Sequence, residues 1–168
     1  MNRRIVKFFA LGGISAYGFA ALVLMLSARL GVLPVQADVT PSRTETTLLG
    51  SALHSSVVRH APSFSNPVSP SEEHLMAGAK LYRQMCSRCH GASSESENLY
   101  GRSFYPPAPS LLLSRPSYTD SQMFWLIKHG IRNTAMPAWG SLLSDDDVWK
   151  VVTFIQKEDQ LYQNITAR

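Results

Sequence analysis

The chain has 168 residues, room for one domain plus extensions. Its formal charge is +4, but Arg3, Arg4, Lys7 and Arg29 all lie within residues 1–37, which hold no Asp or Glu, and the remainder carries 12 basic against 12 acidic residues. The sequence pI of about 9.3 therefore reports the N-terminal segment and not a nucleic-acid-binding surface.

The basic cluster Arg3, Arg4 and Lys7 precedes an uncharged run from residue 8 to residue 28. As a helix, 21 residues cover about 31 Å, close to the roughly 30 Å hydrocarbon core of a bilayer. A signal-peptide apolar region is usually only about 7–15 residues. Val35-Gln36-Ala37 resembles a small-x-small cleavage site, but Arg29 and Pro34 separate it from the apolar run. Residues 1–37 are therefore expected to be an uncleaved membrane anchor, with a cleaved signal and a soluble periplasmic product as the alternative. Basic residues before the span stay inside, which places everything after Arg29 outside the cytoplasm.

Residues 38–69 are Ser/Thr/Pro-rich and read as a tether, with a short helical stripe at Leu48, Leu49, Ala52, Leu53 and Val57. His54 and His60 within it are expected as exposed polar residues. The domain proper is expected over residues 70–168. Ser69-Pro70-Ser71-Glu72 is a helix-start signal, with Ser69 as the cap and Pro70 in the first position. Leu75, Gly78, Ala79 and Tyr82 then share one face, and Gly78 in mid-helix suits a close helix crossing.

That helix leads into Cys86-Ser87-Arg88-Cys89-His90. Cysteines three positions apart lie about one helical turn apart on neighbouring parts of one face. Both thiols can then reach the two vinyl groups on one haem edge, and the next residue, His90, falls under the porphyrin where its imidazole can ligate iron. A thioredoxin-like couple calls for a βαβ context, which is missing from the pattern around it. A structural zinc site needs about four ligands, and these are the only two cysteines. A plain disulfide would leave the adjacent histidine a coincidence. Covalent haem attachment in bacteria takes place outside the cytoplasm, in agreement with the targeting segment.

Residues 91–117 show no clear period. A structureless stretch of that length inside a compact domain needs something to wrap, and a haem supplies it. Thr119-Asp120-Ser121-Gln122 opens a second helix with a capping box. Met123, Phe124, Trp125, Leu126 and Ile127 make it apolar almost all round, so it should be buried. Gly130 ends it, and the next stretch, flanked by breakers, is a loop carrying Met136-Pro137. Ser144 caps the last helix, Asp145, Asp146 and Asp147 suit its N-terminal dipole, and Val148, Val151, Val152 and Ile155 form its inner face. Asn164-Ile165-Thr166 fits a glycosylation pattern and is read as chance.

A haem iron with histidine on one side needs a second ligand, and soft neutral thioether sulfur favours the ferrous state. Of six methionines, Met1 starts the chain, Met25 lies in the anchor, Met76 and Met85 share the helix before the motif, and Met123 suits core filling. Met136 alone sits in a loop, 50 residues beyond Cys86. It is the expected ligand; His129, another histidine or a vacant position are the alternatives.

From about Ser71 to Lys157 the chain resembles class I c-type cytochromes, above all the single-haem domains of cbb3-type oxidase subunits and membrane-tethered bacterial cytochromes. The resemblance rests on the helix before Cys86-x-x-Cys89-His90, the Gly130 to Pro137 loop and the terminal amphipathic helix. It implies an all-α class I cytochrome c fold around one covalent haem c, here with an N-terminal transmembrane helix. It implies that the first and last helices cross near a small residue and an aromatic, suggesting Gly78 and Tyr82 against Trp149 or Val152. It implies that a proline carbonyl, here Pro109 with Pro106 and Pro107 as rivals, accepts the proton on the axial histidine's other nitrogen. Arg102, Arg132, Trp125 and Trp139 become candidates for propionate contact. The implied function is one-electron transfer between a redox donor and an acceptor, either as a separate carrier or inside a larger membrane complex, without substrate chemistry. A ligand-binding sensor or enzyme would instead need an open or labile sixth position.

Overall fold

The computed structural model describes residues 3–36, 39–92, 98–114 and 117–166. Every regular element among them is helical: α1 (Arg3–Arg29), α2 (Arg43–His60), α3 (Glu72–Met85), α4 (Ser87–His90), α5 (Leu99–Arg102), α6 (Asp120–His129), a 3-10 turn (Trp139–Ser141) and α7 (Asp145–Thr166). The chain divides into two units, Met1–Val39 and Thr40–Arg168. In the first, α1 contains one stretch, Leu11–Arg29, long and apolar enough to cross a membrane by length and composition, a test that signal sequences also pass. Ala37 of the cleavage-like tripeptide and the Ser/Glu-rich residues 93–97 lie outside the described residues.

In the second unit α3 and α7 cross at Gly78. A β-carbon there would run into the backbone carbonyl of Lys150 and lie 2.9 Å from Cβ of Phe154, so only glycine lets the two backbones approach this far. Of the crossing partners implied by the resemblance, Gly78 stands at the crossing, while Phe154 and not Trp149 meets the Tyr82 ring. Tyr82 meets the ring of Phe154, with centroids 5.4 Å apart, while Trp149 turns away and stacks on Phe124 of α6 at 4.2 Å and 11°. The reason is helical phase: Lys150 and Phe154 are one turn apart on one edge of α7, and Trp149 points to the neighbouring edge. All of Val148, Val151, Val152 and Ile155 are buried, and Phe154 and Thr153 join them, so this part of α7 is enclosed on more than one side.

The helix caps follow the sequence with one shift. Thr119 and Gln122 make the expected capping box, and Ser144 accepts from the backbone N–H of Asp147 at 3.1 Å. On α3, Ser71 is the cap, not Ser69: its Oγ accepts from the N–H of His74, and Pro70 lies outside the helix. His74 Nδ1 donates back to the Ser69 carbonyl at 2.9 Å, which holds the turn before the helix. α7 starts at Asp145 and leaves helical geometry at Lys157 (φ −131°, ψ 22°).

Residues 40–69 belong to the same compact unit as residues 70–168, so this stretch is packed where a spacer was expected. The helical stripe extends to the 18 residues of α2, capped by Ser42, and only Leu53 and Val57 turn inward while Leu48 and Leu49 stay exposed. The spacer after it also packs: Asn66 donates to Thr153 Oγ1 at 2.9 Å, and Phe64 contacts the ring of Trp149. α6 is apolar on its outer side because α2 covers it there.

Candidate functional site

The functional motif is held by α3 from behind. α3 ends at Met85, Cys86 caps it, and Cys86 then starts α4, its carbonyl accepting from the N–H groups of Cys89 and His90. Tyr82, one turn earlier, donates its hydroxyl to the Gly91 carbonyl at 2.8 Å, fixing the end of the motif to the helix that precedes it. Burial, then the charges that Cys86 and Glu158 can carry, hold the Tyr82 phenol well above its ordinary 10.0, so it remains a donor.

The stretch after the motif contains a short helix, α5, where a structureless wrap was expected. Asn98 explains it. Its side-chain oxygen caps Tyr100 N–H and Gly101 N–H, while its amide donates to the carbonyls of Ser87 and Arg88 at 3.2 and 2.6 Å. A β-carbon on Gly101 would strike the Cys89 carbonyl, so α5 rests directly on the motif. Asn98 and Tyr82 are supporting residues that pattern reading did not single out for the site. The first left a trace, a capping residue before Leu99; the second was read only as part of a helix crossing.

The following segment is clamped at two points, by Ala108 N–H to the Gly101 carbonyl at 2.9 Å and Leu111 N–H to the His90 carbonyl at 3.3 Å. Between them the Pro109 carbonyl sits 2.9 Å from His90 Nδ1. A carbonyl only accepts, so Nδ1 carries the proton and Nε2 of the neutral ring has a free lone pair. Burial lowers the His90 pKa, and the bond to Pro109 opposes the shift without cancelling it, so the ring is neutral at pH 7. Neither Pro106 nor Pro107 replaces Pro109 here, because the two clamps set the register.

Cys86, Cys89 and His90 line a cavity of about 310 Å³. Pro106, Pro107 and Pro109 contribute from the clamped segment, and Leu126 and Ile127 from α6. Met136, Pro137 and Trp139 contribute from the loop after α6. That loop is tied internally: Ile131 N–H donates to the Met136 carbonyl at 3.1 Å, and Met136 N–H to Thr134 Oγ1 at 3.1 Å. Gly130 has a φ of +65°, and a β-carbon there would meet the backbone of Pro137, Ala138 and Met136, so the loop folds back onto its own start. No Lys, Arg, Asp or Glu lines the cavity among the described residues. Arg102, at the end of α5, and Arg132 are exposed and outside the lining. Trp125 is also outside it, set between His60 and His129.

Two other readings of the cysteines lose support. Burial, followed by the neighbouring Cys89, pushes the Cys86 thiol up to about 12, whereas a redox-active cysteine needs a depressed pKa. Among the described residues no group of three or more His, Cys, Asp or Glu side chains is placed to hold a metal ion, as a zinc site requires.

Residues 73–155 match the family described as cytochrome C oxidase, cbb3-type, subunit III. This segment is a class I c-type cytochrome domain. Among solved structures the chain is similar to a protein of the reducing HAO-like protein complex of Kuenenia stuttgartiensis, at 22% identity and a TM-score of 0.37, over 57% of this chain and 49% of that one. The chain thus spans about half the length of that protein.

A c-type cytochrome domain implies haem, iron and electron transfer, and the residues present fit the group. Two thiols and a neutral imidazole share a cavity whose remaining lining is mostly aliphatic, aromatic or proline. Three methionines of the cytochrome domain reach that lining, Met85, Met123 and Met136. Met85 adjoins Cys86 and is 38% exposed, and Met123 accepts from Gln156 through its sulfur at 3.2 Å. Met136 comes from a loop remote from the motif in sequence, and its sulfur carries no such bond among the contacts described.

Proposed function

We propose that this chain is a membrane-tethered, periplasm-facing monohaem c-type cytochrome that passes single electrons between redox proteins. Cys86 and Cys89 would hold the haem by thioethers, and His90 and Met136 would supply the ligands to its iron. The observation that carries the reading is the single cavity lined by the CxxCH residues together with Met136.

Each residue has a definable task. The cysteines would fix the cofactor's orientation through thioether bonds, which a thiol and a vinyl group form without an outside oxidant. Pro109 orients His90 by taking its Nδ1 proton in a hydrogen bond, which makes Nε2 a better donor. The tied loop offers Met136 sulfur in a fixed position. Leu126, Ile127, Pro137 and Trp139 exclude water. When bound, the haem supplies an iron that gains and gives up one electron. With both ligands held by braced backbone, the protein moves little in either direction. Outside residues 1–37 the basic and acidic residues balance, 12 against 12, so partners meet with little long-range steering and part readily.

The axial pair is tested by Met136→Ala in the haem-loaded protein. The ferric form should lose the weak red absorption of thioether ligation, and the reduced form should bind carbon monoxide without denaturant. Retention of that band in the variant would show that another residue is the ligand.

A further inference from the structure

Helix α2 precedes the matched cytochrome domain in sequence, yet Leu53 on it lines the cavity. One turn on, Val57 is fully buried, and at the end of the helix the His60 ring stacks on Trp125 of α6 at 6.0 Å and 19°. Toward the other end, Thr46 Oγ1 lies 3.2 Å from the hydroxyl of Tyr105, which stands between two cavity-lining residues, Phe104 and Pro106. Positions 46, 53, 57 and 60 share one helical face. α2 therefore bridges the segment leading to Pro109 and the helix leading to the Met136 loop, with Leu53 over the space between them. The opposite side of α2 is solvent: Leu48, about half a turn round from that face, is 66% exposed.

We propose that α2 is a strap that completes the haem cavity, and that Leu53 is the positioning residue by which it keeps water and outside ligands from the iron. This rests on the electron-transfer reading above. Burial around a haem disfavours the extra charge of the ferric state and so raises the potential. Thioether is a weak ligand for ferric iron, so access of water or imidazole decides how long Met136 stays bound. A polar side chain at position 53 admits both.

The test uses the full-length, haem-loaded chain with Leu53→Asn and the milder Leu53→Ala, and Leu48→Asn as a control on the exposed side of the same helix. Midpoint potential and the rate at which added imidazole abolishes the ferric red band are read, with helix content followed by circular dichroism. Leu53→Asn should lower the potential and accelerate imidazole uptake about tenfold, through loss of a buried apolar contact. Leu53→Ala should shift both in the same direction by less, and Leu48→Asn should match wild type. Release of the whole helix by Leu53→Asn would produce the same two changes and also support the strap. If both Leu53 variants match Leu48→Asn, the strap is refuted while the electron-transfer reading stands. A wild-type chain without haem colour would overturn both.

Discussion

Tyr82 shows how a residue behind the site governs it. Its hydroxyl bonds to the Gly91 carbonyl, and removing it in Tyr82→Phe leaves that carbonyl unsatisfied at a cost of about 1 kcal/mol at neutral pH. The pH dependence has a definite sign. The folded phenol titrates well above 10.0, so above that pH the unfolded chain loses the proton first. Wild-type stability should then fall by up to about 1.4 kcal/mol per pH unit from this group. Urea denaturation at neutral pH and above pH 10.0 checks both: Tyr82→Phe should start lower and decline less steeply. An equal alkaline decline in the two proteins would remove Tyr82 from the account.

Among the elements, the α3–α7 crossing is the most sensitive. Gly78→Ala improves helix propensity by up to about 1 kcal/mol, but the new methyl group meets the Lys150 carbonyl and Phe154. Overpacking of this kind costs about 1–3 kcal/mol, so the variant should be net destabilised and melt earlier. A higher melting temperature would show that the helices separate without penalty. The contact also marks a limit of pattern reading. Gly78 in an otherwise apolar face announces that something comes close, but whether Trp149 or Phe154 stands opposite depends on the helical phase of α7. α2 is a second such case. A stripe from Leu48 to Val57 gives no direction, and its helical extent and its contact with Trp125 depend on the apolar outer side of α6. The cap of α3 moved from Ser69 to Ser71 because both serines precede a Glu-containing turn, and only backbone geometry separates them.

For the whole molecule, the cofactor motif and the three main domain helices were legible because each has a local signature: CxxCH, a cap, a period of 3.6. The long segment between them was not, since the Asn98 side chain bonds backbone groups and Ala108 and Leu111 act through their own N–H, contacts that leave no periodicity. Of the propionate candidates the resemblance implies, Trp139 lines the cavity and Arg102, Arg132 and Trp125 lie outside that lining, a placement that residue type alone does not give. The targeting segment invites its own measurement. Cell fractionation should leave the full chain in the membrane after a high-salt wash, with a mature N terminus inside or before α1. A mature chain beginning at Asp38 would mean a cleaved signal and a soluble periplasmic protein. The most direct test of the account is a visible spectrum of the chain exported with haem maturation and then extracted with acidified acetone. The reduced protein should show a thioether-type α-band that stays with the polypeptide and disappears in the double variant Cys86→Ser, Cys89→Ser. A colourless protein, or colour that leaves with the acetone, would contradict it.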